Sequence, residues 1–473
     1  MNSSTPLHRM LIDGRLVDGE ATMPVVDPAT EREFARAPDC SDAELEAAVA
    51  AARRAFQTWR QVDIEDRRAL VARMAPLIEP HVPELARLLT QEQGKPVAVA
   101  VREFDSTLRF MKGLATLTLP ETVNEDTPAR RSFTRRVPIG VVAALSPWNY
   151  PVLLSWWKVV PALLAGNTVI LKPSPLTPLT VLRIGELMAD LLPPGVLNVI
   201  SGGDDLGPKL TVHPGVDKIS FTGSTPTGRR IMESASGTLK RLTLELGGND
   251  AAIVMPDVDV DLVVPQLFWS AFTNSGQLCV ATKRLYVHSR CYAAVADALV
   301  AYARNVKVGP GLAPDTQLGP LQNGRQRDRV QALIADSKAQ GLKVLYEGQV
   351  PAGAGYYVPV TLFDNPPEES RVVAEEPFGP VLPLLRFDSV EEAVARANAS
   401  PYGLAGSVWS RNEEQALAIA AQLETGTVFV NEPHYLSPHA PFAGHKQSGL
   451  GIENGSDGLL SFTEPQTVMW RRG

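Results

Sequence analysis

Cys279 is the side chain of this sequence best suited to form a covalent bond with a substrate. It lies in Phe272-Thr-Asn-Ser-Gly-Gln-Leu-Cys-Val280, where Gly276 breaks the preceding helical pattern and leaves the thiol on a loop. Little of an ordinary thiol is ionised at neutral pH, yet its thiolate is a strong nucleophile. Taken singly, a cysteine also reads as an inert buried side chain, and Cys40 and Cys291 are read that way. Glu245, in Leu244-Glu-Leu-Gly-Gly-Asn249, stands at the end of a predicted strand and before two glycines. A carboxylate there can face a crevice and, with its pKa raised by burial, act as a general base. A salt-bridged surface Glu is the alternative. Asn149, in Pro147-Trp-Asn-Tyr-Pro151, falls between a strand and a helix. Its amide N–H groups suit a developing oxyanion, and a plain helix N-cap is the other reading.

A fourth string, Asp217–Arg230, reads DKISFTGSTPTGRR. A strand runs into Gly223, and Gly228 follows as a helix opens. Glycine lets backbone approach a phosphate, and a helix N-terminus supplies free N–H groups. A tight strand–helix turn with no ligand fits the same residues. Arg229 and Arg230 stand where a P-loop needs Lys and Ser or Thr, so an NTPase reading is poor. The dinucleotide fingerprint G-x-G-x-x-G is absent, and Gly449-Leu-Gly451 follows no clear strand. His434, His439 and His445 lie in a Pro/Gly-containing loop at spacings that match no common metal pattern, so no metal is expected.

The elements that must position these groups follow from periodicity and punctuation. Ser41 with Glu44 three residues later is a capping box opening a helix to Trp59. Strands are predicted at 139–146, 168–171, 196–200, 217–222 and 239–244. Helices are predicted at 151–166, 179–191 and 225–234 between them. Strands alternating with helices imply parallel βαβ units, which bind ligands at the carboxyl ends of their strands. A second α/β series begins near Asn249, with a helix over 259–272 and a strand over 283–288. Two segments stand apart, 127–137 and 461–470. Both read as strands unable to bury a face alone, and both are expected to pair with another subunit.

The chain has 473 residues, enough for roughly three domains or two large ones with an appendage. Hydrophobic residues are 44% and charged residues 21%, which excludes a disordered chain. The net charge of -7 argues against a general nucleic-acid partner. Three widely spaced cysteines make no disulfide framework. The N-terminal residues lack an apolar leader core, and the apolar run 151–166 is short and carries Lys158, so no membrane partner is expected. A cytoplasmic location is the resulting expectation.

These four constellations, in their order along the chain, resemble the aldehyde dehydrogenase superfamily. Supporting strings are Leu171-Lys-Pro-Ser174, Phe221-Thr-Gly-Ser-Thr225, Glu376-Pro-Phe-Gly-Pro380 and Gly444-His-Lys-Gln-Ser-Gly449, together with the 34-residue spacing from Glu245 to Cys279. The likeness covers nearly the whole chain. It implies an α/β fold of two doubly wound domains plus a small β oligomerisation element. The cofactor-binding domain would take 1–119 and 139–247, the catalytic domain 248–446, and the oligomerisation element and C-terminal tail 120–138 and 447–473. A homodimer or homotetramer is expected.

The resemblance implies NAD(P)-dependent oxidation of an aldehyde to a carboxylic acid. Cys279 would be the nucleophile, Asn149 and the Cys279 N–H the oxyanion donors, Glu245 the base that activates water on the thioester, and Lys158 a proton-handling group. Cofactor contacts would come from Lys172, Ser174, Gly223, Ser224, Gly228, Trp148, Leu246, Glu376 and Phe378. Many NAD-preferring members carry Glu three residues after the lysine. Pro175 stands there here, which implies NAD use with NADP tolerance. The substrate tunnel would be lined by Tyr150, Leu154, Trp157, Leu278, Val280, Leu436 and Phe442. That lining suits an apolar or aromatic aldehyde better than a semialdehyde with a distal carboxylate. A CoA-acylating semialdehyde dehydrogenase is the alternative within enzymes, and intact Glu245 favours hydrolysis over it. A non-catalytic structural or binding member is the alternative outside them, and it has no need of Cys279, Asn149 and Glu245 together.

Overall fold

A computed structural model describes residues 7–472. Its first sheet has eight strands in the order Arg15–Val17, Met10–Ile12, Leu197–Val199, Thr168–Lys172, Val141–Leu145, Lys218–Thr222, Arg241–Glu245 and Gly449–Leu450. The middle five run parallel. Val141–Leu145 and Thr168–Lys172 are buried at every position, as strands covered on both faces must be. The chain winds outward from Val141–Leu145 to Leu197–Val199. It then returns to place Lys218–Thr222 on the other side of Val141–Leu145. That reversal is a switch point, and its carboxyl-end crevice lies between the Ser146–Asn149 turn and the Gly223–Ser224 turn.

Helix Pro151–Leu164 connects the two central strands and is buried almost throughout. Proline at its first turn costs no hydrogen bond, because that N–H has no helical partner. Helix Asp42–Trp59 begins with the expected box, Glu44 N to Ser41 Oγ at 3.3 Å and Ser41 N to Glu44 Oε2 at 2.8 Å.

The second sheet has seven strands, in the order Val344–Glu347, Thr361–Asp364, Val381–Phe387, Thr282–His288, Asp250–Val254, Ala405–Trp409 and Thr427–Val430. All neighbours are parallel except the first pair. Only residues 246–249 join Glu245, the last residue of a first-sheet strand, to Asp250, the first of a second-sheet strand. Carboxyl ends of one sheet therefore meet amino ends of the other. Cys279 arrives from the second side, on the loop just before Thr282–His288.

The third sheet adds a pairing that the sequence did not show. Thr463–Arg471 pairs with Arg130–Pro138 of the same chain, from Thr463 opposite Pro138 to Arg471 opposite Arg130, and Thr122–Asp126 completes the hairpin. The two segments thus pair with each other within the chain, and Thr463–Arg471 remains an outer strand of that sheet. Residues 447–460 differ from their expected place in the tail. Gly449–Leu450 pairs with Leu244 and Glu245 at the edge of the first sheet, and helix Gly455–Leu460 follows it. Among the described residues no helix is long and apolar enough to cross a membrane.

Candidate active site

The nucleophile loop is held in a backbone conformation that few residues tolerate. Asn274, Ser275 and Gly276 have φ of 53°, 56° and 75°. Such successive left-handed residues persist only where their surroundings over-determine them. Ser275 Oγ donates to Gly319 O at 2.7 Å, Gln277 Nε2 donates to Asn274 O at 2.9 Å, and Gln277 Oε1 accepts from Gln322 N at 2.8 Å. A side chain at Gly276 would place its Cβ 2.3 Å from Gly379 O. The loop delivers Cys279, half-buried, into the wall of a cavity of about 330 Å³. Enclosure pushes its thiol up to about 12, Asp250, Glu245 and Glu376 push the same way, and Lys283 opposes them.

Asn149 lines the same cavity and is docked on this loop. Its Nδ2 donates to Gln277 O at 3.0 Å, and its own carbonyl accepts from Lys95 Nζ at 2.7 Å and Asn274 Nδ2 at 3.1 Å. One amide hydrogen is thereby spent on the loop and the second is left for the cavity. Lys95 is paired with Glu103 at 2.5 Å, both fully buried, and its ammonium lies 3.8 Å from the Tyr150 ring centroid. Glu103 Oε1 accepts from Val152 N at 2.9 Å and Leu153 N at 3.2 Å, capping helix Pro151–Leu164. Sequence reasoning missed this pair.

Glu245 is buried in the cavity wall, and neither carboxyl oxygen has a hydrogen-bond partner in the protein. Burial raises its pKa well above the ordinary value. Neighbouring Glu453 adds to the rise and Lys158 opposes it. Lys158 does not line the cavity. It lies behind, fully buried, paired with Glu453 and donating to Thr222 Oγ1 at 2.7 Å. Lys158 thus acts on Glu245 only through its field.

The cavity collects all seven expected tunnel residues, Tyr150, Leu154, Trp157, Leu278, Val280, Leu436 and Phe442, and with them Leu246. Trp157 sits between Phe110 and Phe442, its ring 4.8 and 5.6 Å from theirs. Missed by sequence reasoning were Val99, Arg102, Glu103 and Ser106 from helix Val97–Leu114, and Leu153, Thr222, Thr273, Leu404, Pro433 and Glu453. The helix carries apolar residues at helical spacing, which signals a core face and not a cavity wall. Arg102 is exposed, so the mostly apolar lining carries, beside its buried carboxylates, one guanidinium that the sequence around Cys279 does not reveal.

Eight of the nine residues expected at a dinucleotide lie outside this cavity, Leu246 being the exception. Ser224 caps helix Thr225–Ala235, accepting from Thr227 N at 3.4 Å. Gly223 is half-buried beside it. Gly228 is buried where a Cβ would lie 2.6 Å from Leu246, so glycine there serves the contact between helix and strand end. Trp148 and Phe378 meet edge to face at 5.4 Å. Glu376 Oε1 accepts from Gly248 N at 3.2 Å. Lys172 is buried, donates to Pro173 O at 3.3 Å, and is pushed down to about 8 by burial, against Asp204, Asp205 and Asp39. Ser174 Oγ accepts from Leu176 N at 3.3 Å. A helix N-terminus and a buried lysine at the carboxyl ends of the first sheet's strands, with an aromatic pair formed across to the second sheet's side, fit a dinucleotide.

Residues 16–468 match the model of the aldehyde dehydrogenase family. A Pseudomonas protein named "Probable aldehyde dehydrogenase" is 44% identical over 463 residues, covering 97% of this chain and 94% of its own. Phenylacetaldehyde dehydrogenase of Pseudomonas fluorescens is 38% identical, covering 99% and 98%. The NAD+ complex of a Bacillus cereus aldehyde dehydrogenase superposes with a TM-score of 0.95 at 37% identity, covering 98% and 96%.

Proposed function

We propose that this chain, which belongs to the aldehyde dehydrogenase family, oxidises its aldehyde through a covalent adduct at Cys279. The thiolate attacks the aldehyde carbon and gives a thiohemiacetal. Its oxyanion is held by the free amide hydrogen of Asn149 and by the Cys279 backbone N–H. A nicotinamide dinucleotide, which Lys172 and Ser224 at the carboxyl ends of the first sheet's strands and Glu376 and Phe378 from the second sheet's side would hold, would supply the hydride acceptor that no side chain can be. Oxidation leaves a thioester on Cys279. Glu245 takes a proton from water as the oxygen bonds to the thioester carbon; the C–S bond breaks, Cys279 leaves as the thiolate and the carboxylic acid is freed. Lys158 favours the ionised Glu245 that this step needs.

NAD is the expected dinucleotide. Pro175 brings no carboxylate against a 2′-phosphate, which favours tolerance of NADP. Asp39, Asp204 and Asp205 face Lys172 and hold that tolerance to a weak one. The lining favours an apolar or aromatic aldehyde. The three-stranded arm exposes Met469, Trp470 and Val123, which suits a homodimer or homotetramer joined there.

The observation that carries the reading is that Cys279, Asn149 and Glu245, 130 residues apart in sequence at their extremes, line one cavity. The test is a steady-state panel of aldehydes with NAD and NADP, run on the wild type and on Cys279→Ala. Cys279→Ala is expected to lose oxidation and keep dinucleotide binding. Undiminished turnover in that variant refutes the nucleophile. A preference for succinic semialdehyde over benzaldehyde and hexanal refutes the substrate class. Acyl-CoA as the product refutes hydrolysis by Glu245.

A further inference from the structure

Lys283 is a buried ammonium with no part in the steps above. It is 2% exposed and stands second in strand Thr282–His288, four residues after the nucleophile. Its side chain turns back over the loop, and Nζ donates to the Cys279 carbonyl oxygen. The same Nζ lies 3.4 Å from Glu376 Oε1, in a pair whose side chains are 3% and 15% exposed. Glu376 in turn accepts from Gly248 N at 3.2 Å, in the link between the two sheets. One cation therefore touches the nucleophile's own peptide and a carboxylate on the dinucleotide side of the cleft.

We propose that Lys283 is the positioning residue that sets the reactivity of Cys279, by fixing the loop through the Cys279 carbonyl and by placing the charge that favours the thiolate, with Glu376 tempering that charge. The inference rests on Cys279 being the nucleophile. Two features support it beyond simple fastening of the loop. The first is the charge balance around the sulfur. Asp250, Glu245 and Glu376 all disfavour the thiolate, and Lys283 is the cation set against them. The second is the cost of the arrangement. A neutral donor would satisfy the Cys279 carbonyl at a lower desolvation penalty than a buried ammonium. Lys283 also faces Asp250 and His434.

The test is the rate of Cys279 alkylation by iodoacetamide in the dinucleotide-free enzyme, with the modified cysteine identified by peptide mass. This readout needs neither aldehyde nor turnover, so it stands apart from the roles given to Glu245 and Asn149. Lys283→Gln keeps a donor for the carbonyl and removes the charge. It is expected to react about tenfold or more slowly at about pH 9, and Lys283→Arg close to the wild-type rate. Glu376→Gln frees the ammonium and removes a repelling carboxylate, so it is expected to react faster. Thermal melting identifies any variant that has lost its fold, and the opposite sign at Glu376 tests the proposal independently of Lys283→Gln. A wild-type rate in Lys283→Gln, a slower rate in Glu376→Gln, or no label on Cys279 in the wild type overturns it.

Discussion

Removal of the Asn149 amide separates what that side chain does for the fold from what it does for the reaction. In Asn149→Ala the protein loses the bond from Nδ2 to Gln277 O, 3.0 Å long and buried. Gln277 O is not left bare, because Asn274 Nδ2 lies 3.5 Å away and can close on it. The backbone carbonyl of residue 149 keeps Lys95 and Asn274 as donors. The stability cost is therefore about 1 kcal/mol, the net worth of one hydrogen bond. Loss of one oxyanion donor typically lowers turnover by about 10²–10³, or about 2.7–4 kcal/mol of transition-state stabilisation. The kinetic loss should exceed the stability loss severalfold. Urea unfolding gives the first quantity and kcat at saturating aldehyde and NAD gives the second. Cys279 alkylation should stay near the wild-type rate if the loop is undisturbed. A fall in turnover of less than about tenfold, with the stability lost as expected, would show that Asn149 merely fastens the loop and the oxyanion is held elsewhere.

Glu245 must be ionised to accept a proton, and its pKa is raised, so turnover limited by thioester hydrolysis falls as pH drops through that raised value. Glu453→Gln removes a like charge and leaves Lys158 facing Glu245, so the acid limb of the kcat profile should move to lower pH; an unmoved limb refutes the coupling. Gly276→Ala puts a Cβ 2.3 Å from a backbone oxygen at a φ of +75°, so the loop must shift. Activity should fall by more than about tenfold even where the protein still folds, since small misplacements at a reacting centre carry penalties of that order; wild-type kcat would show that the left-handed turn is incidental.

Local chemistry was legible in the sequence and long-range pairing was not. The Ser41–Glu44 box, the central strands and the placing of Cys279 on a loop depend on neighbours within a few residues, and periodicity or punctuation reports them. Lys158 was visible as a charge in an apolar helix, but its partner Glu453 stands 295 residues away. Glu453 lies just past a Gly449-Leu-Gly451 string that follows no clear strand. Gly449–Leu450 becomes a strand because the edge of the Glu245 strand is there to receive it. The pairing of Thr463–Arg471 with Arg130–Pro138 has the same character. Each segment looked unfinished alone, and nothing local shows that each completes the other. Arg102 and Glu103 escaped notice because a helix face that lines a cavity carries the same apolar spacing as one that packs in a core.

Buried ion pairs locate the function as clearly as the cavity does. Among the described residues, the Lys or Arg pairs in which neither side chain exceeds 15% exposure are Lys95–Glu103, Lys158–Glu453 and Lys283–Glu376. Desolvation makes such pairs poor devices for stability, and well-packed apolar residues commonly do as well or better. A fold selected for stability alone would scatter or omit them, yet all three bond to residues that line one cavity. Each also reaches one of the groups assigned to the reaction. Lys95 holds the Asn149 carbonyl, Lys158 biases Glu245, and Lys283 lies on the Cys279 carbonyl. The nucleophile and the base are both enclosed acids whose charged forms the surroundings disfavour. A single nearby cation would act on both at once. Two cations, one from a helix of the first sheet and one from a strand of the second, allow each acid to be biased separately. Junction of the carboxyl ends of one sheet with the amino ends of another provides that separation, because Lys158 reaches Glu245 from the first sheet's side and Lys283 reaches Cys279 from the second's.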